Sequence, residues 1–180
     1  MRCLHLENLF ENLGEHDYDH DDVSPALPRY NCIAWAAGDD QHRWWPAAWD
    51  KATYYWPPHL PRHKFGEERL ENFISAFEWL GYIRCYSPKF RNGIEKIAIF
   101  ADSKGRPTHA ARQLESGAWT SKCGPLEDIT HYALFNVEGE KRGYGKAVAF
   151  LKKRRDGKAF LGTRIRRFLR RLFYNRQKWT

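Results

Sequence analysis

The sequence predicts an α+β domain in which N-terminal helices pack on a small antiparallel sheet, followed by a basic amphipathic helix at the C-terminus. Three observations carry this. Apolar residues recur at helical spacing over 67–80. Short apolar runs between 97 and 122 are separated by tight turns. A second helical stripe over 165–173 is interleaved with arginine.

Taken in order, Leu4, Leu6, Leu9, Phe10 and Leu13 suggest a short helix ending at Gly14. Residues 15–28 are acidic and carry Pro25 and Pro28, so residues 1–28 read as an extended acidic lead-in. Asn31 is a good N-cap for a short helix that begins at Cys32 and stops at Gly38. Ala34, Ala36 and Ala37 favour that helix, since alanine gives up no side-chain entropy in one. Residues 42–64 mix Trp, Pro and His irregularly and read as a long loop. Leu70, Phe73, Ile74, Phe77 and Leu80 then mark one face of a helix, closed by Gly81.

Beyond Gly81 the period changes. Strands are expected around Ile97–Ile99, over Thr108–Leu114 and over Ala118–Lys122, with turns at 102–107 and 115–117 forming a meander. Residues 129–137 read as a further strand or a short helix. Tyr144, Val148 and Leu151 suggest a helix over 144–153. Ile165, Phe168, Leu169, Leu172 and Phe173 form the apolar stripe of the last helix, with Arg164, Arg166, Arg167, Arg170 and Arg171 between them. The expected organisation is a lead-in over 1–28, a domain over 29–150 and a basic helical segment over 151–180.

Charge follows the same division. Residues 151–180 hold twelve Lys/Arg against one acidic residue, Asp156, although the whole chain is only +8. A basic end on a mildly acidic body points to nucleic acid or another anionic partner for residues 151–173. The competing view docks the apolar stripe on the body and leaves the arginines solvated. The first 22 residues lack an apolar leader core, and no run approaches the ~20 apolar residues of a membrane span. The expected setting is therefore a reducing cytoplasm, with Cys3, Cys32, Cys85 and Cys123 as thiols. Their spacing contains no zinc-binding pair, so neither a metal nor a cofactor is expected.

Eight Trp residues are present, six of them in the first half. They build either the core or an aromatic cleft, in which Trp35 and Trp119 are the candidate contacts. Cys32 is the residue whose placement most suggests chemistry. A helix N-terminus favours thiolate, and a histidine within reach serves as base. His109, after the turn at Pro107, is the best partner. The competing role for Cys32 is a small buried hydrophobe.

Asn31-Cys32-Ile33-Ala34-Trp35-Ala36, then Thr108-His109-Ala110-Ala111-Arg112-Gln113-Leu114, Trp119-Thr120-Ser121-Lys122-Cys123-Gly124 and Ile129-Thr130-His131, resemble an uncharacterised family of small bacterial proteins. Tyr144-Gly145 also fits, so the likeness runs from about residue 30 to 145. The order of cysteine helix, histidine strand and neighbouring polar strand also resembles the papain-like (NlpC/P60-like) cysteine hydrolases. That resemblance implies a papain-like fold and a Cys32–His109 pair oriented by a third residue. Ser121 fits the third place by order, with Asp128 and His131 as alternatives. It further implies a peptidase, amidase or deamidase acting on a peptide, amide or thioester. The alternative is a non-enzymatic binding protein that recruits an anionic partner through the Trp-rich cleft and the basic helix. Lys122 and Arg112, near the pair in sequence, are expected on a solvated strand face or as aids to an acidic substrate.

Overall fold

A computed structural model of the protein describes residues 4–19 and 24–156. A seven-stranded sheet organises it. The strands are β1 (Tyr18–Asp19), β4 (Ile83–Cys85), β5 (Ile94–Ala101), β6 (Pro107–Gln113), β7 (Trp119–Lys122), β8 (Asp128–His131) and β9 (Lys146–Arg154). Their order is β1-β8-β7-β6-β5-β9-β4, and every neighbouring pair is antiparallel. A separate parallel pair joins β2 (Arg43–Trp44) to β3 (Tyr54–Tyr55).

The helices are short: α1 (Leu4–Leu9), α2 (Cys32–Ala37) and α3 (Leu70–Trp79). The expected papain-like arrangement, helices packed on a small sheet, is therefore corrected: the sheet is the framework and the helices cover it. The reason lies in burial. β5 is buried along Lys96–Ala101 on both its faces, so it works as a central strand with layers on either side. Ile97, Ile99, Ala110 and Leu151 pack with α2, α3, Trp44 and Trp56. Ala98, Phe100, Ala111, Trp119 and Ile129 pack with Leu6, Phe10, Leu13, Tyr18 and Val137. Each layer is assembled from segments distant in sequence.

A second correction concerns 144–153, expected as a helix. These residues form β9, which runs on to Arg154 between β5 and β4. The helical spacing of Tyr144, Val148 and Leu151 is accidental: Leu151 is fully buried and Val148 is 47% exposed. Ile99 faces Ala149 while Phe100 faces Ala147, so Val148 is the extra residue of a β-bulge. A bulge breaks strict alternation and hides a strand from a period-2 reading. The segment expected to begin a basic helix at residue 151 thus starts inside the sheet. The proposed helix itself, with Arg164, Arg166, Arg167, Arg170 and Arg171, lies outside the described residues.

The meander stands as expected, with its turns closed by Gly105 N–H to Asp102 O (2.9 Å) and Gly117 N–H to Leu114 O (3.2 Å). Residues 129–137 divide into β8 and a 3-10 turn at Leu134–Val137. The Trp residues resolve mainly as core: Trp44, Trp56 and Trp119 are buried, while Trp49 and Trp79 are exposed. No helix among the described residues is long and apolar enough to cross a membrane.

Candidate active site

β6 and β7 pair only at Arg112–Thr120 and Gln113–Trp119, although both strands continue. Beyond that point the ladder opens. The Leu114 N–H to Ala118 O bond of 2.8 Å shows that even-numbered residues of β6 turn their backbone polar groups toward β7. At Thr108 and Ala110, a sulfur takes the place of a strand. Cys32 Sγ lies 4.0 Å from Thr108 O, and the Ala110 N–H is directed at it.

Asn31 holds α2 in that position. Its Oδ1 accepts from Ala34 N–H at 3.1 Å, which caps the helix. The same oxygen accepts from Trp44 N–H at 3.0 Å, and Nδ2 donates to Trp44 O at 2.9 Å. At the other end Gly38 takes φ of 81°, and its N–H donates to Trp35 O at 3.0 Å.

His109, between Thr108 and Ala110, turns its ring to the other layer of the core. The ring stacks on Tyr144 at 3.8 Å and 2°, and meets Phe100 edge-on at 5.4 Å. Its Nε2 lies 2.9 Å from Ser121 Oγ, which in turn lies 2.9 Å from His131 Nε2. His131 Nδ1 is 2.7 Å from Ala133 O.

This chain has one consistent assignment of protons. A carbonyl only accepts, so His131 Nδ1 carries a proton and its Nε2 accepts from the Ser121 hydroxyl. Ser121 Oγ then accepts from His109 Nε2–H, which leaves His109 Nδ1 as a bare lone pair. That nitrogen is buried and has no hydrogen-bond partner. All three side chains are wholly buried.

Electrostatics keep every member neutral. Burial drives His109 well below the usual imidazole value, assisted by His131. Burial brings His131 down to about 4, against the opposing pull of the Ala133 carbonyl. Burial also pushes the Cys32 thiol up to about 11, although the N–H groups of Ala110, Ile33 and Cys32 oppose it. The activation expected from a helix N-terminus is therefore outweighed: α2 has six residues, and desolvation of the thiolate is the larger effect.

The structure thus joins His109 to Ser121 and sets Cys32 against the backbone on either side of His109. No hydrogen bond links the sulfur to the ring. His131, one of two alternatives for the third position, extends the relay behind Ser121. Asp128, the other, does not join it. Its Oδ2 accepts from Tyr30 Oη at 2.5 Å and Ser24 Oγ at 2.9 Å, and its Oδ1 lies 3.8 Å from Lys122 Nζ. Lys122 is no solvated strand residue: it is fully buried, donates to Leu126 O and sits 4.9 Å from the centre of the Tyr30 ring. Burial lowers its ammonium, with Asp128 opposing. Arg112 lies over the Trp35 ring at 5.4 Å.

The expected aromatic contacts fall on different layers. Trp35 packs with α2's core and donates from Nε1 to Thr120 Oγ1 at 3.0 Å. Trp119 is buried in the opposite layer, unable to line an open cleft with Trp35. Tyr144 was not singled out from sequence as a site residue, and the Tyr144-Gly145 pair in the motif was its only signal. No curated protein and no solved structure matches the chain. Residues 22–152 match the family described as a domain of unknown function (DUF7689), and the chain belongs to that family.

Proposed function

We propose that the protein is a cysteine-dependent acyl hydrolase, with Cys32 as nucleophile, His109 as general base and acid, and Ser121 and His131 as positioning residues. One observation carries the reading: the unpartnered lone pair of His109 Nδ1, buried in the core on the strand residue between Thr108 and Ala110, whose backbone groups meet Cys32 Sγ. A buried polar atom without a partner is costly, and a catalytic role is one of the reasons that keep such an atom in a protein. The reading asks for this pair and its relay, not for a particular fold.

In the proposed reaction the thiol proton passes to His109 Nδ1 as sulfur attacks the acyl carbon of an amide or thioester. The imidazolium keeps its Nε2–H on Ser121. It then returns the Nδ1 proton to the departing amine or thiolate. Water adds to the acyl-enzyme with Nδ1 again as base, and Cys32 leaves as thiol. Because the resting pair is neutral, proton transfer accompanies attack and no thiolate is stored beforehand.

Incubation of the full chain with an acetyl thioester, followed by mass spectrometry of its peptides, tests this. The expected result is an acetyl group on Cys32 that His109→Gln abolishes. Acetylation of Cys85 as fast as of Cys32, or a Cys32 adduct indifferent to His109→Gln, would remove the proposal.

A further inference from the structure

A cleft of about 440 Å³ opens beside the start of α2. Arg29, Arg43, Lys51 and Arg62 line it, and among the described residues no carboxylate does. Four cations around one space repel one another; Asp40 and Asp50, which stand outside the lining, offset part of that charge. Arg62 donates to Ala47 O at 2.9 Å and to Tyr54 O at 3.1 and 3.2 Å, neutral acceptors that fix the guanidinium without cancelling its charge. Arg43 lies over the Tyr54 ring at 5.4 Å, and its buried Nε has no acceptor. Asp50 is lowered chiefly by hydrogen bonds from Thr53, with Arg43 a lesser cause, and its carboxylate accepts the Thr53 N–H at 2.9 Å. Arg29 lies over the Tyr30 ring at 6.0 Å and 3.8 Å from the exposed carboxylate of Asp40.

The cleft is tied to the candidate nucleophile. Arg29 stands three residues before Cys32, no more than about 11 Å along the chain. Asn31 caps the helix that carries Cys32 and clamps both backbone groups of Trp44, the neighbour of Arg43. One side chain therefore fixes the thiol and the Arg43 strand together.

We infer that this cleft is an anion subsite that holds a carboxylate or phosphate group of the acyl compound attacked by Cys32. The inference rests on the proposed nucleophile. Guanidinium forks match the paired oxygens of either group, and Arg43, one of the lining residues, carries an Nε–H that no acceptor among the described residues satisfies. Tyr54 and Tyr55 supply an apolar flank for the carbon chain between the anion and the acyl centre.

Two measurements on the full chain test it. The first is calorimetric titration with pyrophosphate. Binding is expected in the wild type and in Cys32→Ser, about tenfold weaker in Arg43→Gln and about threefold weaker in Lys51→Gln on the exposed rim, with melting temperatures unchanged. No binding, or equal affinity in wild type and both cleft variants, overturns the subsite. The second compares transfer of a glutaryl and a pentanoyl group from matched thioesters to Cys32. The Cys32 S–C bond forms, the thioester S–C bond breaks, and the leaving thiolate takes the proton from His109. Glutaryl is expected to transfer at least fivefold faster, and Arg43→Gln to erase the difference. Equal rates, with Cys32 acylated, overturn the inference and leave the nucleophile standing. Pyrophosphate binding that Arg43→Gln weakens, with neither group transferred, removes the nucleophile and with it the subsite's role in substrate binding.

Discussion

The Tyr144 ring lies flat on the imidazole of His109, 3.8 Å away and 2° from parallel. The contact closes one face of the proposed base and helps to exclude water from it. It depends on the chain reversal at Gly145, whose φ is 77° and whose amide and carbonyl both pair with Gly139, at 2.9 and 3.0 Å.

Gly145→Ala should be among the most damaging single-methyl additions. A Cβ there would stand 2.0 Å from Ala101 O, a backbone atom that cannot rotate away, in a conformation that disfavours side chains. A loss of at least about 2–3 kcal/mol is expected in urea denaturation. Tyr144→Phe keeps the stacked ring and should cost less than Tyr144→Ala by about 1 kcal/mol or more.

Ser121→Ala removes the middle of the relay. His109 Nε2–H and His131 Nε2 are then both buried without partners, which costs about 2 kcal/mol or more in stability. The variant should also slow acyl transfer to Cys32 by about 10²-fold, because the proton on Nε2 loses its anchor and the lone pair on Nδ1 is no longer fixed. A rate unchanged when normalised to folded protein would show that the relay is only structural.

Stability should fall with acidification in a window set by the two histidines. An unfolded imidazole titrates near 6.5, while both folded rings are held lower, His131 to about 4. Between these values the unfolded chain binds protons that the folded chain refuses. The stabilisation is therefore fully present above about pH 7 and is lost as pH falls through 6.5. For His131 the loss levels off near pH 4, where the folded ring also protonates. Each ring contributes up to about 1.4 kcal/mol per pH unit. Guanidinium denaturation at about pH 7 and 5.5 should differ by roughly 2–3 kcal/mol, and His131→Asn should remove near half of that difference.

Asn31→Ala tests the clamp between helix and loop. It deletes the cap of α2 and both bonds to Trp44. The cap is worth about 1 kcal/mol, and the two orphaned Trp44 groups add roughly 1–3 kcal/mol. A total loss below about 0.5 kcal/mol would mean that the Trp-rich segment holds itself in place.

The α2 cap and stop were legible locally, because Asn31 and Gly38 act on groups within a few residues of themselves. The meander was legible for the same reason: its turns depend on Gly105 and Gly117, whose chemistry is written in place. The β9 strand was not, because Val148 is an extra residue whose outward turn is imposed by β5. The site was half legible. Cys32, His109 and Ser121 stood out by residue type and order, but a motif does not show that β6 and β7 part beyond Arg112, and that parting admits the sulfur.

By itself, then, the sequence determined the capped helix at Cys32, the helix over Leu70–Trp79, the meander and the uneven charge, since each follows from short-range spacing or composition. Only the tertiary structure decided the protonation of the candidate site residues and which layer each occupies. Burial costs an ion its hydration, so a thiol expected to be activated is raised to about 11 and two histidines are kept neutral. That depth is fixed by distant segments closing over the sheet, which no local pattern in the chain encodes.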